Sequence, residues 1–129
     1  MAGEENKAAV ERMLNAISDG DISVMDEVFA DDAVVDWPAS GERVTGAENR
    51  RSVYQRTPVL PKISFRRVFG DGDLWIVEGT FRYAGDPSAG MLVFEFRDGR
   101  VVHQTGYWVK PSEAPAWREQ WVDKLETGS

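Results

Sequence analysis

The stretch Gly90–Val109 constrains this chain more than any other: two runs of alternating residues flank Asp98-Gly99. Asp-Gly is the kind of pair that a two-residue hairpin turn selects, because both central positions need positive φ. Side chains alternate across a strand. Leu92, Phe94 and Phe96 therefore share one face, and Met91, Val93, Glu95 and Arg97 the other. On the returning arm Val102, Gln104, Gly106 and Trp108 oppose Val101, His103, Thr105, Tyr107 and Val109. Neither face is wholly polar, which predicts a hairpin covered on both sides.

The chain before the hairpin changes period. Val10, Met13, Leu14 and Ile17 recur at helical spacing, so residues 4–18 read as an amphipathic helix ended by Gly20. Asp21 suits the N-cap of a second helix, Ile22 to Phe29, with Val24, Met25, Val28 and Phe29 inward. Ala33–Trp37 reads as a short strand stopped by Pro38, and residues 40–43 as a turn. Gly46 opens a third helix over Ala47–Arg56, closed by Thr57-Pro58. Strands follow at 63–69, with Arg66-Arg67 marking a bulge, and at 74–83. Gly85–Ser88 is expected to be a turn. A last helix is expected over Ala116–Leu125, and the closing Thr127-Gly128-Ser129 reads as a frayed end.

Helices followed by a run of antiparallel strands predict one α+β domain over residues 1–129. The sheet should curve strongly, with about three helices on its concave face and a C-terminal helix besides. Such a sheet leaves a cone-shaped, apolar pocket. Ile76, Val93, Val101 and Tyr107 remain on the outer face, which predicts a homodimer through that face.

Composition removes several classes of function. A formal net charge of −7 disfavours nucleic acid and anionic membranes as partners. No apolar run approaches the length of a membrane span. The absence of cysteine removes thiolate chemistry and fits a reducing, cytoplasmic setting. With a single histidine, no metal site and no cofactor are expected.

Ala-Asp-Asp-Ala at 30–33, Val35-Asp36-Trp37-Pro38 and Phe96–Val101 carry a resemblance to the nuclear transport factor 2-like superfamily, and within it to the SnoaL-like proteins. The resemblance covers nearly the whole chain and implies the cone fold, but no single chemistry. The ketosteroid isomerases of that superfamily use a tyrosine, a carboxylate base and a protonated acid. Those positions fall here at Met13, Trp37 and Leu92, none of which moves a proton. SnoaL-like cyclases imply an acid and a histidine facing the cavity. The one histidine, His103, is turned away by the strand register. The related epoxide hydrolases imply an inward Asp-Arg-Asp set, and no such set is found.

The same register, with the resemblance, gives a ligand-lining set. Met13 and Ile17 come from the first helix, Trp37 from the first strand and Tyr54 from the third helix. Val77, Phe81, Leu92 and Phe94 come from the middle strands, and Gln104 and Trp108 from the last. This predicts a small hydrophobic ligand. Asp36 is the candidate general acid or base, because a carboxylate beside an apolar wall can have its pKa raised. The simpler reading turns Asp36 outward, paired with an arginine. Arg50-Arg51 and Arg66-Arg67 are either solvated or placed to meet an anion at the mouth.

Overall fold

A computed structural model describes residues 2–125. Helix α1 (Ala2–Ser18) and the short α2 (Val24–Val28) lead into β1 (Phe29–Trp37) and β2 (Glu42–Thr45). Helix α3 (Ala47–Arg56) precedes β3 (Lys62–Asp71), β4 (Leu74–Tyr83), β5 (Asp86–Arg97) and β6 (Arg100–Val109). The strands make one sheet in the order β2-β1-β6-β5-β4-β3. Only β1 and β6 run parallel; every other neighbouring pair is antiparallel. This is the α+β architecture expected from the order of periods.

The hairpin turn is as the Asp-Gly pair dictates: Asp98 and Gly99 have φ of 52° and 80°, and Arg97 pairs with Arg100. Inward side chains of the sheet meet α1 through Val10, Met13, Leu14 and Ile17, all buried. The centre is packed by rings and branched chains. Phe29, Phe81, Phe94, Met13 and Val77 are each at most 1% exposed. Two polar ties fix α1 at its ends. Asn6 Nδ2 donates to the Gly72 carbonyl, and the Ser18 hydroxyl accepts from the Ile63 amide.

Several expectations are corrected. The second helix is only five residues long, and Phe29 begins a strand instead of ending a helix. The turn expected over residues 40–43 holds for Ser40 and Gly41, but Glu42 and Arg43 belong to a strand over 42–45: Pro38 ends β1, and the chain doubles back so that Val35 pairs with Val44. The β4–β5 turn is Ala84-Gly85, both at positive φ, which leaves Pro87 and Ser88 within β5. Strict alternation fails once in β6. The register slips so that Phe96 faces Val101 while Glu95 faces His103. Val101 is therefore fully buried on the inner side, and Val102, expected inward, is the extra residue of the bulge. The bulge expected at Arg66-Arg67 is present between Phe65 and Arg67.

The terminal segment is a 3-10 turn over Ala116–Trp121 and not a packed helix. Trp117 and Trp121 are 73% and 72% exposed. The closing Thr127-Gly128-Ser129 lies outside the described residues.

Candidate functional site

The sheet register sorts the residues expected to line a ligand into two groups. Met13, Val77, Phe81, Leu92 and Phe94 are at most 2% exposed, and Ile17 is 6% exposed; they form the packed centre. Trp37, Tyr54 and Trp108 are half-buried at its margin. Trp37 and Trp108 end the parallel strands β1 and β6, so both stand at the same end of the sheet. Antiparallel pairing brings Tyr83 of β4 to that end as well. Tyr54 approaches Tyr83 from α3. Burial pushes the Tyr54 hydroxyl up to about 12, with the neighbouring Tyr83 adding to the shift and Arg50 opposing it.

Glycines let the rings at this end fold over the sheet. The Trp108 indole lies across Gly106, where an added Cβ would come within 2.5 Å of its ring. It then meets Phe81 edge to face, with centroids 6.0 Å apart and planes at 89°. The indole Nε1 atoms of Trp37 and Trp108 are both buried and have no hydrogen-bond acceptor among the described residues. Buried Trp N–H groups usually find one. Gln104, four residues before Trp108 on β6, is 4% exposed.

The chemistry-bearing side chains lie on the other side of the sheet. Asp36 pairs with Arg43 of β2 and Thr105 of β6, while its neighbours Val35 and Trp37 face inward. Arg43 donates from Nε and a terminal nitrogen to the two Asp36 oxygens at 2.6 and 2.9 Å. His103 Nε2 is 2.8 Å from Asp36 Oδ2, and its Nδ1 is 2.9 Å from Glu95 Oε2. The Arg43 hydrogen bonds hold the Asp36 carboxyl far below the usual carboxylate range; His103 helps, and desolvation opposes. A carboxylate so held is a poor proton acceptor near neutral pH. Thus Asp36, the candidate acid or base, and His103 do meet, but outside the packed interior. Arg43 and Glu95 were not singled out from the sequence. Their signal was available in strand pairing, since Arg43 faces Asp36 only once residues 42–45 are read as a strand. Among the described residues no group of three or more His, Asp or Glu side chains is placed to hold a metal ion.

The central rings are closely packed. A cavity of about 130 Å³ lies on the seam between α2 and α3. Tyr54 is the one residue of the expected lining set that borders it.

Comparison with known proteins agrees with this fold. A family model described as a SnoaL-like domain matches residues 10–104. No curated protein matches the sequence. A crystal structure of an NTF-2 like protein of unknown function from Burkholderia xenovorans LB400 is 38% identical, with a TM-score of 0.83 over 95% of this chain and 96% of that one. A Kribbella flavida protein, provisionally named a ketosteroid isomerase, is 22% identical with a TM-score of 0.86, over 97% and 93% of the two chains. An LEH-like epoxide hydrolase of M. tuberculosis is 24% identical with a TM-score of 0.72, over 84% and 85%. The last two likenesses speak to the fold.

Proposed function

Since the chain belongs to the SnoaL-like domain family, we propose that it binds a flat, apolar small molecule bearing a hydrogen-bond acceptor, without proton-transfer chemistry by Asp36. The ligand enters at the aromatic end of the sheet, where the half-buried rings of Trp37, Tyr54 and Trp108 give way. Its apolar body takes the place of ring–ring contact, and its carbonyl or ether oxygen accepts from an indole N–H. The observation that carries this reading is the pair of buried, acceptor-free Nε1 atoms of Trp37 and Trp108. Relatives named for isomerase and epoxide hydrolase activity support a family that handles small molecules at this fold.

The test is a thermal-shift and tryptophan-fluorescence titration with ketones of steroid, aromatic polyketide and terpenoid type, each beside its parent hydrocarbon. Ketones should raise Tm more than hydrocarbons, and Trp108→Phe should erase the difference. If no compound raises Tm, or ketone and hydrocarbon behave alike, the reading is wrong.

The alternative is catalysis by Asp36 as general acid or base. It requires that carboxylate to leave Arg43 and reach the interior, and the two hydrogen bonds from Arg43 favour the binding reading. The proposal extends to the assembly: Leu74, Met91 and Tyr107 are 46%, 37% and 46% exposed on the outer side of the sheet, a face suited to a second copy of the chain. Sedimentation of Tyr107→Glu as a monomer, against a wild-type dimer, checks this.

A further inference from the structure

We propose that the cavity between α2 and α3 is a binding site for the carboxylate of a small, short-chained organic acid, with Arg50 as its cationic floor. Arg50 falls on the same α3 face as Val53 and Tyr54, three and four residues on, so the helix turns it inward. It is 2% exposed. Its guanidinium stacks on the Phe29 ring at 4.7 Å from the centroid. One terminal nitrogen donates to Asp26 Oδ1 at 3.2 Å. Nε and the other terminal nitrogen, Nη1, have no acceptor among the described residues.

The charges do not balance locally. Arg51 donates to the same Asp26 oxygen, also at 3.2 Å. Two guanidinium cations thus share one carboxylate, and the buried one keeps unanswered donors. A buried charge without its full set of partners is costly. Arg50 borders the cavity, so an anion seated there would lie beside its guanidinium. Arg50, Arg51, Ser23, Gln55 and the shared Asp26 supply its polar lining, and Ile22, Met25 and Tyr54 its apolar walls. One excess positive charge matches a monoanion better than a phosphate dianion. The planar fork of an arginine matches a carboxylate in geometry. A volume of about 130 Å³ limits the apolar tail to a few carbon atoms. This site shares Tyr54 with the indole end but not its donors, which are Arg50 here, and neither tryptophan borders it.

The experiment is a ¹H–¹⁵N titration of the arginine Nε–Hε signals of the intact chain with acetate, propionate and butyrate at constant ionic strength. Sodium chloride and sodium phosphate are the control arms. The Arg50 signal, assigned with Arg50→Lys, should shift and saturate with propionate but not with chloride. Gln55→Trp places a ring at the exposed rim of the cavity and should weaken propionate by about 10-fold or more, since a filled site cannot take the tail. Arg50→Lys should weaken it comparably through loss of the planar fork. If that variant does not fold, the assignment comes from the signal that Gln55→Trp displaces, and the wild-type titration still decides. A shift that never saturates, an equal response to chloride, binding of phosphate alone, or unchanged propionate affinity in Gln55→Trp overturns the proposal.

Discussion

Gly106→Ala tests the ring arrangement on which the candidate site rests. An alanine Cβ at 106 would stand 2.5 and 2.8 Å from two ring carbons of Trp108, and 3.2 Å from a Leu92 methyl. Leu92 is 2% exposed and has little room to move, so the half-buried indole must swing outward. Overpacking of this kind costs about 1–3 kcal/mol. The lost edge-to-face contact with Phe81 adds about 0.5–1.5 kcal/mol. Removing a glycine from a strand returns about 0.5–1 kcal/mol. The net loss is about 0.5–4 kcal/mol, or roughly 2–15 °C in Tm for a domain of this size. Gly90→Ala should cost more, because its Cβ would meet the Phe81 ring at 2.4 Å and that ring is 1% exposed. Denaturant unfolding followed by circular dichroism gives both values, and tryptophan emission should shift to the red in Gly106→Ala alone. If Gly106→Ala matches the wild type in stability and emission, the indole does not lie over residue 106. The acceptor-free Nε1 of Trp108 would then no longer mark a site.

Tyr54, with its pKa raised from 10.0 to about 12, contributes stability that is complete below pH 10 and is lost as pH rises through about 12; Tyr54→Phe should flatten that loss in alkaline unfolding curves. Asp36 has the opposite sign. Its lowered pKa gives stability present above about pH 4 and lost as pH falls below its ordinary value of 3.8, so Asp36→Asn should lower Tm at pH 7 and converge with wild type in acid. Trp117→Ala and Trp121→Ala, at exposed positions, should each change unfolding free energy by no more than about 0.5 kcal/mol. Phe94→Ala, at a fully buried position, should cost about 3–5 kcal/mol by the same measurement.

The parts of the fold legible in the sequence are those where one local rule decides. The Asp98-Gly99 turn, the helical face of α1 and the alternation of β4 each follow from a single periodicity or a single pair of residues. The misread parts depend on partners far along the chain. Residues 42–45 are a strand because β1 offers them an edge, and Val101 is buried because β6 carries an extra residue opposite Phe96. The terminal Trp117, Trp121, Val122 and Leu125 have helical spacing, yet amphipathic spacing makes a helix only when something covers the apolar side. All four are exposed here. For the site, the aromatic set was legible as a face but not as a division between packed centre and margin, which depends on depth. Arg50 shows the same limit: its neighbour Arg51 has identical chemistry and is 47% exposed.

The parallel pairing of β1 with β6 decides which chemistry the sheet offers to each side. Because the two strands run in register, with Val35 beside Gln104 and Asp36 beside Thr105, like faces align across them. The inward row is then Val35, Trp37, Gln104 and Gly106. The outward row gathers Asp36, His103 and Thr105, and β2 and β5 add Arg43 and Glu95 to it. Moving the acid and the histidine inward would require a one-residue slip in both strands together. That slip would turn Val35, Trp37 and the buried Gln104 outward and break the central core. The polar cluster is therefore held outside by the same burial that stabilises the fold, and the inward face presents indole, phenol and amide groups without a carboxylate beside them.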